Sequence, residues 1–218
     1  MELKERANAI VDILKKEYPI PECTLDYTEA WQLLFNARLA AQCTDKRVNE
    51  VAVGLYKRFP TLEDFANADI PELEEYIRPT GFFRVKSADL KNAAIILLAK
   101  HGGKVPSTME ELLELPGVGR KVANLILGDV YNVPGAVVAD THCIRLSNRF
   151  GLCETKDPKK VEFALRELIS PNETNNFCHR LVLHGRAVCD ARNPRCSECC
   201  LYEHCQRCGV EKTTKLPD

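Results

Sequence analysis

With 218 residues, 45% hydrophobic and 28% charged, the chain has an ordinary globular composition and enough length for one large domain or two small ones. Lys and Arg number 30 against 31 Asp and Glu, a net charge of −1, so the molecule is no polycation and any nucleic-acid contact needs a local basic face. No apolar run approaches the ~18 residues of a membrane span, and the amphipathic start, with acidic residues mixed in, is no secretory leader; the expectation is an intracellular, cytoplasmic protein.

The predicted elements follow in order. Residues 1–19 read as an amphipathic helix with Ala7, Ile10, Val11 and Leu14 on one face. A second helix spans about 28–42. In KRVNEVAVGLYKRF, residues Val48, Val51, Ala52, Leu55, Tyr56 and Phe59 fall on one helical face. Another helix covers about 85–100. STMEELLEL opens with Ser107 and Glu110 at capping-box spacing, and the helix from Met109 to Leu115 is stopped by Pro116. The segment GAVVA, 135–139, reads as extended but is short. In GLCETKDPKKVEFALREL, Asp157 is a cap and Pro158 takes the first helical position. A last helix runs from about Asn175 into the cysteines. Strand alternation is otherwise missing, so the fold class is all-α with about ten helices, and Pro134-Gly135 marks a hinge between two helical bodies.

LPGVGRKVANLIL, 115–127, carries a local conflict. Gly117 and Gly119 permit positive φ and close backbone approach, and Val118 pins the turn to the core. The helix that follows places Arg120 and Lys121 in its first turn, where the positive end of the dipole disfavours cations. Free N–H groups there suit a phosphate oxygen. The bland alternative is an ordinary αα-corner.

Six of the 11 cysteines lie between Cys189 and Cys208, and clustering of this kind in a cytosolic chain points to metal rather than disulfides. Two readings stand. Cys189, Cys196, Cys199 and Cys205 form C-x6-C-x2-C-x5-C; alternatively, Cys196/Cys199 and Cys205/Cys208 form two C-x2-C pairs of zinc type, with only five residues between them against a usual ~15–20.

LPGVGRK, followed nineteen residues after its lysine by ADTH, resembles the endonuclease III family of helix-hairpin-helix DNA glycosylase/AP lyases, and the likeness runs from about Ala7 to Cys205. The resemblance implies that Lys121 is the nucleophile and Asp140 its partner; Ala139 stands where valine is common. It implies a 4Fe-4S cluster on Cys189, Cys196, Cys199 and Cys205, leaving Cys200 and Cys208 as extra thiols. LAAQCTD resembles LSAQATD, which makes Gln42 a gap filler opposite the orphaned base, with Cys43 departing from alanine. TGFFRVKS resembles GLYNSKA, which puts Phe82 where the family has an intercalating leucine. Gly117, Gly119 and Arg120 would seat phosphate, His142 and Arg145 would touch phosphate or support the carboxylate, and Arg186, Arg192 and Arg195 around the cysteine loop would meet the backbone. The implied architecture is a helical domain at 23–133 with the hairpin, a second made of 1–22 plus 134–218 with the cluster loop, and a DNA-binding cleft between them.

The implied function is base excision repair: removal of oxidised, ring-saturated pyrimidines from double-stranded DNA, and strand cleavage at abasic sites, by a monomer of prokaryotic origin. The chemistry agrees. A primary amine attacking C1′ forms a Schiff base, which acidifies the neighbouring position for β-elimination. Only about one free lysine in a few thousand is neutral at pH 7. A helix start contributes only about 0.3–1 kcal/mol toward deprotonation, so desolvation against DNA must supply the rest. Asp140, placed as a helix cap, would stabilise positive charge on the sugar and move protons. Two rivals remain: an adenine DNA glycosylase of the same superfamily, which usually lacks the lysine and has a longer C-terminus, and a non-catalytic helix-hairpin-helix module that only binds DNA.

Overall fold

The structure, a computed structural model, describes residues 2–210. Among these there are eleven α-helices, two short 3-10 turns and no strand. The chain divides into two compact units, residues 23–131 and residues 1–22 with 132–218; residue 1 and residues 211–218 lie outside the described residues.

The 23–131 unit contains α2 (Ala30–Leu39), α3 (Asp45–Arg58), α4 (Leu62–Asn67), α5 (Ile70–Ile77), a 3-10 turn (Arg78–Thr80), α6 (Phe83–His101), α7 (Met109–Leu113) and α8 (Arg120–Asp129). Its core is aromatic. Trp31, Phe35, Tyr56, Phe59 and Phe65 meet mostly edge-to-face at 5.0–6.1 Å between centroids, the arrangement that the ring quadrupole favours. The buried Asn36 is satisfied inside this core, donating to Asp26 O at 2.7 Å and accepting from Tyr56 Oη at 2.6 Å. Helix starts are capped by Thr44, Thr61, Asp69 and Thr108, each accepting from the N–H three residues on. Helix α6 ends on Gly102 and Gly103, both at positive φ, with Gly103 N donating to Leu97 O at 2.9 Å.

The other unit contains α1 (Leu3–Glu17), α9 (Thr141–Arg149), α10 (Pro158–Leu168), α11 (Thr174–Ala187) and a 3-10 turn (Cys196–Glu198) inside the cysteine loop. Helix α1 buries the expected Ala7, Ile10, Val11 and Leu14. Its Lys15 reaches Glu173 at 2.7 Å, and Glu173 also takes Arg180 of α11 at 3.1 Å.

Several boundaries differ from the sequence reading. The cap of α7 is Thr108 with Glu111, one residue past the Ser107–Glu110 pair, because that register buries Leu112 completely. Helix α7 ends at Leu113, and the buried Leu115 lies in the turn. Residues 136–139 are buried yet pair in no sheet among the described residues. Of the predicted α3 face, Val51 and Tyr56 are only half-buried.

Candidate active site

In the 23–131 unit, α7 and α8 are joined by a tight turn pinned by Leu115 and Val118, with Val118 N donating to Leu115 O at 3.1 Å. Gly117 sits at φ +72°, and a Cβ there would come within 2.6 Å of Arg38 Cδ and 2.7 Å of Asp89 Oδ2. Arg38 Nε and Asp89 Oδ2 form a 2.7 Å ion pair, so the turn rests on a guanidinium–carboxylate brace spanning α2 and α6. Gly119 differs: its φ is −104° and a Cβ would meet nothing within 4 Å. Only Gly117 uses the left-handed freedom that the sequence suggested for both glycines.

Gly119 is the N-cap of α8. No side chain caps this helix, and no acidic residue stands in its first turn. Lys121 is exposed and Arg120 half-buried, while Ala123 to Gly128 are all buried. The helix therefore presents backbone N–H groups and an amine together, with no protein anion from its own first turn to neutralise them.

Two other exposed side chains of this unit stand on left-handed backbone. Gln42, in the turn between α2 and α3, has φ +54°, and Phe82, the residue before α6, has φ +47° and is 64% exposed. Four described non-glycine residues have positive φ, and these two are among them. Such a conformation costs an ordinary residue about 1–2 kcal/mol, so an outlier of this kind points to function.

In the other unit Asp140 is the N-cap of α9, its Oδ1 accepting from Cys143 N at 2.7 Å. His142 and Arg145 are half-buried and turned toward α11: Arg145 Nη2 lies 3.2 Å from His142 Nδ1 and donates to Gly185 O at 3.3 Å and Cys189 O at 3.1 Å. Gly185 has no room for a Cβ, which would lie 2.9 Å from Arg145 Nη2. Arg145 thus ties α9 to the start of the cysteine loop.

Arg149, a buried residue that sequence reasoning passed over, does the same more extensively. Its guanidinium donates to Asp190 O at 2.6 Å, Ala191 O at 2.8 Å and Cys189 Sγ at 3.2 Å. Asp190 folds the loop back by accepting from Arg192 N and Asn193 N, and those two bonds hold its carboxyl below the usual range. Arg186 and Arg192 are exposed; Arg195 is exposed too but pairs with Glu198 at 3.0 Å and with Ala187 O. Arg180, earlier on α11, is buried and bound to Glu173 and Tyr18 O.

Cys189, Cys196, Cys199 and Cys205 line one small recess with Arg149, Phe150 and Tyr202. Burial pushes the Cys199 thiol up to about 12 and the Cys205 thiol up to about 11. Cys208 is exposed and faces a different recess beside Cys153 and Thr155, and Cys200 is exposed. No three His, Cys, Asp or Glu side chains among the described residues converge tightly enough for a single metal ion.

Residues 36–171 match the model of the HhH-GPD superfamily base excision DNA repair proteins. The chain is 46% identical to endonuclease III of Synechocystis sp. over 93% of its length and 92% of the relative's, and 35% identical to endonuclease III of Bacillus subtilis over 90% of each. Its fold matches that of endonuclease III in a trapped covalent intermediate with DNA, an estranged-adenine complex, with TM-score 0.89, 35% identity and coverage of 95% of this chain and 97% of that one. A thermostable thymine-DNA glycosylase, 18% identical with TM-score 0.81, shares the fold. The chain therefore belongs to the HhH-GPD superfamily of base excision DNA repair glycosylases. Within it, the likeness places the chain in the endonuclease III family, as a DNA glycosylase/AP lyase. No helix among the described residues is long and apolar enough to cross a membrane.

Proposed function

We propose that this protein excises oxidised, ring-saturated pyrimidines from duplex DNA and cleaves the resulting abasic strand through a Schiff base on Lys121. The observation that carries this reading is the exposed amine of Lys121 in the first turn of an uncapped helix, directly behind the Gly117 turn. The N–H groups of that helix start, with Gly119 open on its outer side, seat a backbone phosphate beside the amine. The amine attacks C1′ as the bond to the base breaks. The base leaves with its electron pair, the sugar ring opens to an iminium at C1′, a proton is lost from C2′, and the 3′ phosphate departs.

Asp140 takes the carboxylate role. Its helix-cap bond from Cys143 N holds one oxygen and leaves the other to stabilise positive charge on the sugar and to carry protons. Gln42 and Phe82, both exposed, fill the gap left by the extruded nucleotide. Arg120, Arg186 and Arg192 meet phosphate; the bonds of Arg145 to His142, Gly185 O and Cys189 O, and of Arg195 to Glu198, favour a positioning role for His142, Arg145 and Arg195.

The four cysteines fit a 4Fe-4S cluster better than a zinc ion held by two C-x2-C pairs: Cys189 lines the recess of Cys196, Cys199 and Cys205, and Cys208 does not. Held by Cys189, Cys196, Cys199 and Cys205, the cluster would be a cross-link that fixes the arginine-bearing loop.

A panel of duplexes, each with one defined lesion, tests the function. Release of a ring-saturated pyrimidine together with a β-elimination strand break is the expected result. Release of a mispaired adenine without a break, or binding without any release, would contradict it.

A further inference from the structure

Lys86 lies on the buried stripe of α6 with Leu90, Ala93, Ala94 and Leu97, where helical periodicity calls for an apolar side chain. It is fully buried, and among the described residues no carboxylate pairs with it. Burying a cation is costly, and an apolar side chain of similar volume commonly serves stability as well or better. Burial, with Arg38 nearby, lowers its pKa, while Cys43 opposes the shift. What the ammonium adds is two bonds: to Leu39 O at 2.8 Å and to Thr80 O at 2.8 Å.

Those carbonyls are placed at corresponding points of two turns. Leu39 is the last residue of α2, and Cys43 N turns back to Ala40 O, leaving the Leu39 carbonyl without its helical donor. Thr80 is the last residue of the 3-10 turn, before Gly81 at φ +71°. Three residues past Leu39 stands Gln42, and two past Thr80 stands Phe82, each on left-handed backbone. One buried ammonium therefore grips the base of both strained turns.

We infer that Lys86 is a positioning residue for base extrusion: by binding Leu39 O and Thr80 O together it holds the turns of Gln42 and Phe82 in fixed register, so that both side chains enter the duplex as one unit. This rests on the reading of Gln42 and Phe82 as gap fillers. Lys86 itself touches no DNA, since its side chain is inaccessible.

The test separates extrusion from chemistry. Wild type and Lys86→Met are compared on a duplex with one ring-saturated pyrimidine, which requires extrusion, and on an abasic site in a single strand, which does not. A fluorescent adenine analogue opposite the lesion reports unstacking. The expected result for Lys86→Met is a roughly 10- to 100-fold fall in kcat on the duplex, as misplacement by an ångström produces. KM should be little changed, the unstacking signal diminished and borohydride trapping on the single strand within about twofold of wild type. Parallel losses on both substrates, or none on either, would overturn the inference. Should Lys86→Met fail to fold, Lys86→Arg carries the same comparison, because it keeps the cation but displaces the donors. If neither folds, Lys86 is a structural support and the assignment is wrong. Failure of the wild type to trap on either substrate strikes instead at the lyase reading beneath it.

Discussion

The two glycines of the hairpin have different reasons for being there. Gly117 is required by the protein: its φ of +72° and the Arg38–Asp89 pair beneath it leave no place for a Cβ. Gly117→Ala should cost about 2–4 kcal/mol from left-handed strain and overpacking, seen as a lower Tm. Gly119 has neither constraint within the protein. Gly119→Ala should cost at most about 1 kcal/mol, the difference between glycine and alanine at an N-cap. A clear loss of duplex affinity in that variant would then belong to the ligand. Unchanged affinity would remove Gly119 from the phosphate seat. Of the residues at this scale, the sequence makes legible those whose role is local: Asp157 before Pro158, and Asp140 before α9, follow from capping chemistry alone. Lys86, Arg149 and Arg180 are not legible, because a buried cation is justified by carbonyls or carboxylates brought from distant segments. Periodicity reports only that their neighbours are apolar.

At the scale of elements, two attachments can be tested within the unit that holds the cysteines. Glu173 links α1 and α11 through Lys15 and Arg180, and Lys15, its main partner, draws its carboxyl below the ordinary 4.5 against the opposing effect of burial. A carboxyl whose folded pKa is depressed adds stability above its unfolded value and loses it as pH falls through the folded one. Glu173→Gln should therefore lower stability by about 1–3 kcal/mol at neutral pH, the larger part from leaving buried Arg180 without its anion. Wild type and variant should converge below pH 4.5; a constant gap across that range would contradict the account. The second attachment is the cysteine loop. Cys189→Ser should lose iron and its visible absorbance, while Cys208→Ser should keep both, since only Cys189 shares the recess of the other three thiols. The reverse result would restore the paired C-x2-C reading. Spacing alone left that choice open, because it counts residues along the chain and the recess is formed by where they turn.

For the whole molecule the net charge of −1 has a consequence for DNA binding. With no general positive field, affinity depends on a few placed cations, and each phosphate neutralised contributes about −0.9 to the slope of log K against log salt. Exposed Arg192 is held in place by a loop folded on Asp190. Arg192→Ala should reduce that slope by about one phosphate while changing stability by no more than about 0.5 kcal/mol. An unchanged slope would take Arg192 out of the interface. The all-helical class was legible in the sequence because the 3.6-residue period recurs across nearly its whole length. The buried run at 136–139 shows the limit of that signal, since its four apolar residues lie in neither helix nor strand.

The central claim is that Lys121 forms a covalent bond with the sugar. Borohydride reduction in the presence of an abasic duplex, followed by proteolysis and mass spectrometry, tests it most directly. The account predicts a single adduct on the peptide containing Lys121 and none in Lys121→Gln. An adduct on another residue, or strand cleavage with no adduct, would contradict it.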